Sequence, residues 1–178
     1  MLNHDKDSMI PMQPWQSELI IQLSNTIIRS FQARLQYPLA GLPAHASAET
    51  LARALYDAPY VVLTHDGDSD PRFTYANRAA QQLWELEWEE IIGMPSRYSA
   101  EPDLREVRAA MLERVQRDGY IDDYQGIRIS KTGKRFALGR TVVWNLTDAD
   151  DHYCGQAATF SEWTALGASA ASSKSGEQ

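Results

Sequence analysis

Phe73-Thr74-Tyr75-Ala76-Asn77-Arg78-Ala79-Ala80 holds the transition on which the fold turns. Arg72 to Ala76 reads as a short strand. Asn77 follows as a good N-cap, since its side-chain oxygen can accept from the free N–H groups of a first helical turn. The spacing predicts a helix from Arg78 to about Trp84. Upstream, Tyr60-Val61-Val62-Leu63-Thr64 is a second β-rich run, and the Asp- and Gly-rich stretch His65–Pro71 turns one run into the other as a hairpin. Downstream, Trp88 to Ile92 forms a short helix stopped by Gly93. Asp103 and Glu106 form a capping box for a third helix, which carries Leu104, Val107, Met111 and Val115 on one face and ends at Gly119. Three strands follow: Tyr120 to Ser130, Arg135 to Asn145 and Tyr153 to Trp163. They are joined by turns at Lys131-Thr132-Gly133-Lys134 and at Thr147 to Asp151. This order predicts an α+β fold, a five-stranded antiparallel sheet with helices inserted between strands 2 and 3.

Outside that core the pattern changes. Residues 1–13 are polar and predicted flexible. Residues 14–55 form a helical N-terminal extension. In it Leu19, Ile20, Leu23, Ile27, Phe31 and Leu35 recur at helical spacing, widened by Ile21 and Ile28. A stripe this apolar packs on the domain or on a second subunit, so residues 17–36 are the expected homodimer face. Tyr37-Pro38 ends the helix. A second helix, about Ala48 to Tyr56, is capped by Ser47. The core domain runs over 56–163, and the Ala-, Ser- and Gly-rich tail 164–178 buries too little surface to order itself.

The 178 residues carry a net charge of −7, with a pI near 5.0 and no basic run. That balance argues against a nucleic-acid partner, which needs clustered Lys and Arg. One cysteine, Cys154, excludes an intrachain disulfide and a Cys-based zinc site. No signal peptide or membrane span is visible, which points to the cytoplasm.

The strand–helix order is the PAS order, and two motifs agree with it. Phe73 to Ala80 resembles the PAS stretch in which a strand enters an Asn-capped helix. Trp88-Glu89-Glu90-Ile91-Ile92-Gly93 resembles the helix that follows in that family. The chain looks more closely like bacterial stand-alone members of the MEKHLA family, which is PAS-like. The carrying segments are Tyr75-Ala76-Asn77, Trp88-Glu89-Glu90, Pro95 to Pro102, Arg117 to Tyr124, Arg128 to Lys131 and Gly155 to Phe160. The resemblance spans roughly residues 14–163. It implies a sensory or small-molecule-binding module without its own output domain, signalling through a separate partner, and it supplies no ligand and no catalytic residue.

The residues bear directly on the usual guests of such a fold. Haem needs an axial His on the helical side, and none of His4, His45, His65 and His152 falls between the second strand and the last hairpin. A thiol–flavin adduct needs a Cys in the helical segment, where there is none. Asp66, Asp68 and Asp70 open like a calcium loop, but Pro71 and Asn77 stand where Gly and Glu are required. Asp122 and Asp123 are strand neighbours pointing to opposite faces, so they form no acid–base dyad; one of them as general base in a cavity is the enzyme alternative. A protein-interaction domain with a filled core is the other alternative. What remains is an unidentified small organic ligand in an aromatic and polar cavity. The candidate lining is Tyr75, Trp84, Trp88, Tyr98, Tyr124, Arg128, Arg140, Trp144, Gln156 and Thr159, with Tyr120, Asn145, Phe160 and Trp163 beside them. Along the fourth strand Phe136, Leu138, Arg140, Val142 and Trp144 share a face. If that face is inward, Arg140 is a buried cation whose partner is Asp122, Asp123 or a ligand carboxylate.

Overall fold

The computed structural model describes residues 11–167. Residues 1–10 and 168–178, most of the expected flexible N-terminus and tail, lie outside the described residues. Helix α1 (Glu18–Leu35) starts at Ser17, whose hydroxyl accepts from the Ile20 N–H at 3.3 Å. Helix α2 (Ala48–Tyr56) starts at Ser47, which accepts from Thr50 N–H at 3.2 Å. Strands β1 (Val61–His65) and β2 (Phe73–Ala76) form the hairpin, followed by α3 (Arg78–Trp84), α4 (Trp88–Ile91) and α5 (Arg105–Asp118). Strands β3 (Tyr120–Tyr124), β4 (Ile127–Ile129), β5 (Arg135–Leu138), β6 (Thr141–Thr147), β7 (Tyr153–Phe160) and β8 (Trp163–Ala165) complete the chain. The main sheet is antiparallel in the order β2-β1-β7-β6-β3.

The three long strands expected after α5 are each two short ones. Their second set forms a small sheet in the order β4-β5-β8, so the breaks near Gly126, Gly139 and Ser161 lie side by side as one crease. Two backbone bonds cross it: Leu138 N–H to Gly126 O and Gly139 N–H to Glu162 O, both 2.8 Å. Glycine permits the approach. A Cβ on Gly139 would sit 2.8 Å from the Glu162 carbonyl oxygen. The crease also changes which residues share a face. Phe136 and Leu138 pack with Trp84 and Phe160, whereas Trp144 on β6 packs against α1 on the opposite face of the main sheet. The expected row Phe136-Leu138-Arg140-Val142-Trp144 therefore does not exist, because two residues outside either strand shift the alternation.

Two layers of core result. Ile20, Ile27 and Phe31 of α1 lie on Val62, Tyr75, Trp144, Leu146 and Ala157. On the other face, α3, α5 and the small sheet enclose Leu63, Phe73, Trp84, Phe136, Leu138, Val143 and Phe160. The apolar stripe of α1 is thus spent on its own sheet, leaving Leu19 well exposed. The expected capping box does not form. Pro102 opens a 3-10 turn over Pro102–Leu104 that takes in Asp103, and α5 begins at Arg105 with no side-chain cap. Its inward face is Arg108, Met111, Leu112 and Val115, while Val107 is 65% exposed. Among the described residues, no helix is long and apolar enough to cross a membrane.

Candidate functional site

A cavity of about 50 Å³ lies between the main sheet, α5 and the small sheet. Its apolar wall is built mainly by Leu63, Phe73, Leu138, Val143 and Phe160, with Trp84 at one side. Arg108 enters from α5 and Arg128 from β4, only 8% and 7% exposed. Arg128 donates to the Tyr124 hydroxyl at 3.0 Å and to the Ile127 carbonyl at 2.9 Å, and its guanidinium sits 5.5 Å from the Tyr124 ring centre. Arg108 has no hydrogen bond to any other described residue. Among the described residues neither arginine has a carboxylate within ion-pair distance, and no Asp or Glu lines the cavity.

The electrostatic consequence is direct. Burial, reinforced by the like charge of Arg128, pushes the Arg108 guanidinium down to about 10. It therefore stays charged near neutral pH. His65 on β1 adds no charge. Its Nδ1 lies 2.7 Å from the Asp66 carbonyl oxygen, which can only accept, so Nδ1 carries the proton. Burial lowers the His65 pKa to about 4, with Arg108 acting in the same direction. Its Nε2 has no partner among the described residues. The Trp84 indole N–H is likewise without a partner among the described residues, whereas the other polar groups are engaged. Gln156 donates to the Leu112 carbonyl at 2.9 Å and to Asn145 Oδ1 at 3.2 Å; Ser99 donates to Ser96 O and Thr141 to Gly139 O. The cavity therefore holds two positive charges and no negative one.

A buried unpaired cation costs stability. Arg108→Met, which keeps the volume and removes the charge, is expected to stabilise the ligand-free protein by about 1–3 kcal/mol. Urea unfolding should show a higher midpoint at unchanged slope. A lower midpoint would mean that Arg108 is paired.

The expected lining divides. Trp84, Tyr124, Arg128, Gln156 and Phe160 reach the cavity. Tyr75 and Trp144 are fully buried on the opposite face under α1, with Trp88 edge-on to Tyr75 at 5.8 Å. Thr159 is also off the cavity, donating to the Val61 carbonyl at 2.9 Å. Asn145 is buried toward α5, where it donates to the Gln116 carbonyl at 3.1 Å. Tyr98, Tyr120 and Trp163 are exposed. Arg140 is not a buried cation: it stands at the crease, largely in solvent, 3.1 Å from the Asp122 carboxylate. Asp123 faces solvent beside Arg114. Neither acid can serve as a base in the cavity. His65, Arg108, Ser99 and Thr141 belong to the site and were missed. Arg108 did leave a signal, since it stands at i with Met111, Leu112 and Val115 at i+3, i+4 and i+7.

The acidic turns are structural. Asp66 Oδ1 accepts from the Asp68 and Arg72 N–H groups, and Asp70 pairs with Arg97. Asp148, Asp150 and His152 are close enough together to hold a cation. There, however, Asp148 Oδ1 accepts from the Asp150 and His152 N–H groups, both at 2.9 Å. Such side-chain-to-backbone bonds are ordinary turn chemistry.

Sheet order and inserted helices together define a PAS-like domain. Residues 21–165 match the MEKHLA domain profile, and the chain belongs to that family. Among solved structures it is similar to the PAS domain of a protein from Colwellia psychrerythraea: 14% identical, TM-score 0.54, 65% of this chain and 92% of that one. It is also similar to an RNA-binding light-oxygen-voltage receptor, 17% identical with TM-score 0.55, over 70% of this chain and 35% of that one. The photo-excited blue-light photoreceptor Vivid is 15% identical with TM-score 0.52, over 75% and 92%. At such identities the likeness shows the fold alone. No curated protein matches the chain in sequence.

Proposed function

We propose that this chain is a cytoplasmic sensory module. It binds a small organic molecule in the cavity between main sheet and α5 and passes the occupied state to a separate protein. The observation that carries this reading is a cavity whose wall combines apolar side chains with the unpartnered His65 Nε2 and Trp84 Nε1 and with Arg108, which has no ion pair among the described residues. Buried polar groups without partners are uncommon in folded proteins and mark places where something else binds.

The size of the cavity favours a guest smaller than the usual cofactors of the fold. About 50 Å³ is well below the roughly 300 Å³ at which cofactor-sized pockets begin. The Cys154 thiol is exposed and is not among the cavity residues, so it cannot meet a flavin placed there. His65 does line the cavity, but the space beside it holds no macrocycle. A small ligand is the reading that volume and chemistry share. Homodimerisation through residues 17–36 has less to stand on, because α1 is covered by its own sheet. Light scattering decides it, a mass twice 20.1 kDa being the dimer result.

The test of the main reading is native mass spectrometry of protein taken from its own host. A bound species of low mass is expected. It should be absent from Ala158→Leu, which extends a side chain into the cavity. The same added mass on both proteins, or none on either, would overturn the reading.

A further inference from the structure

We propose that the ligand is a short-chain monocarboxylate, held through its carboxylate by Arg108 of α5 and Arg128 of β4. The inference rests on the cavity being a ligand site, and it names the chemistry of the occupant. The chain carries 24 acidic residues against 17 basic ones, yet its two cavity arginines face no acid among the described residues. Elsewhere, Arg29, Arg34, Arg72 and Arg105 also have no carboxylate partner among the described residues, but none of these four is buried. Arg78, Arg97, Arg114, Arg117, Arg135 and Arg140 all have a carboxylate partner, most of them in the open solvent where a partner matters least. Two guanidinium groups left unpaired in the interior bring fixed N–H donors to one space, which suits an oxyanion.

Three observations narrow the anion. Of the other donors on the wall, Gln156, Ser99 and Thr141 donate to protein oxygens, and the Trp84 indole N–H, a single donor, is unpartnered among the described residues. A tetrahedral inorganic anion would leave oxygens facing Leu63, Phe73, Val143 and Phe160, where nothing donates. His65 is neutral and offers only a lone pair, so it repels a second oxyanion. A planar carboxylate places both oxygens on the arginines and turns its hydrocarbon to the apolar wall. The volume, about 50 Å³, limits the molecule to a few heavy atoms, roughly two to four carbons in the chain.

The test compares acids with neutral isosteres by calorimetry on the full-length protein, stripped of bound molecules by unfolding and refolding. The probes are acetate, propionate and butyrate, then acetamide, propionamide and butyramide, then inorganic phosphate and sulfate. At least one acid should bind ten times more tightly than its amide and than either inorganic anion. In Arg108→Met that preference should vanish. Arg108→Lys, which keeps the charge and loses the fork, should keep only part of it. If the methionine variant fails to fold, the acid–amide comparison on the unaltered protein still decides. Equal affinity for acid and amide would overturn the anion assignment and leave the cavity reading intact. Phosphate or sulfate binding as tightly as any acid would overturn the organic class. Binding of none of the acids would overturn the proposal. A cavity empty in protein from the host would instead overturn the reading beneath it.

Discussion

Asn77→Ala is expected to remove about 4 kcal/mol of stability, the largest effect of any single substitution considered. The Asn77 side chain is fully buried and uses all its hydrogen-bonding capacity. Its oxygen accepts from Ala80 N–H at 3.1 Å, capping α3, and from Val62 N–H at 3.0 Å on β1. Its amide nitrogen donates to the Tyr60 carbonyl at 2.7 Å and the Leu55 carbonyl at 3.3 Å. One residue therefore ties the end of α2, the start of β1 and the start of α3. Losing the cap costs about 1 kcal/mol. The orphaned Val62 N–H and the Tyr60 carbonyl, which lose their side-chain partner in the interior, supply the rest, whereas the Leu55 carbonyl keeps the Ala58 N–H. Asn77→Asp separates the contributions. It keeps both accepted bonds but sets a carboxylate against two carbonyl oxygens, so it should be at least as damaging at neutral pH and recover partly in acid. Chemical denaturation of the three proteins measures this. A loss below 1 kcal/mol for Asn77→Ala would mean that water replaces the amide.

Acid should expose the second large effect. The folded protein holds the His65 pKa near 4, first through burial, against 6.5 in the unfolded chain. The folded state therefore binds this proton less readily than the unfolded state. The stability tied to neutral His65 is complete above pH 6.5 and is lost as pH falls from 6.5 toward 4. The displacement corresponds to about 3 kcal/mol. The carboxylates held low act in a lower window. Arg97 depresses Asp70, Lys131 depresses Glu90, Arg117 depresses Asp118, and the His152 N–H depresses Asp148, so their contributions fade mainly below pH 4. Between pH 6.5 and 4 the slope belongs chiefly to His65. His65→Gln, which cannot take up the proton, should show a nearly flat profile across that interval. Parallel slopes for the two proteins would show that His65 titrates as it does in water.

The parts of the fold legible in sequence are the local ones. The Asn77 cap depends on a residue and the turn beside it, and the hairpin before it on a run of Asp and Gly. The antiparallel hairpin pairs followed from connection lengths, but the pairing of β1 with β7, which sets the order of the sheet, did not. The crease was not legible, because Gly126 and Gly139 read equally well as glycines within long strands. What breaks the strands is the close approach of Glu162 to Gly139 from a different segment. Because of that one nonlocal contact, the condition under which Arg140 would be an interior cation is not met. Arg108 was hidden for a related reason. Two ladders on α5 share Met111 and Val115, one including Val107 and the other Arg108. Apolar periodicity favours the first, whereas packing on β3 and β6 selects the second. A buried charge defeats a reading that looks for apolar faces, and in this chain that charge is part of the candidate site.

The unpaired arginines also bear on how long each copy lasts. Repulsion between two buried cations makes the empty protein the less stable of its forms. A ligand at a hundred times its dissociation constant would raise stability by about 2.7 kcal/mol. Where a protease attacks the unfolded chain and reclosing is fast, degradation slows in proportion, roughly a hundredfold. The abundance of this protein would then follow the supply of a small acid before any partner is engaged. Pulse–chase turnover, with and without that acid, would show it.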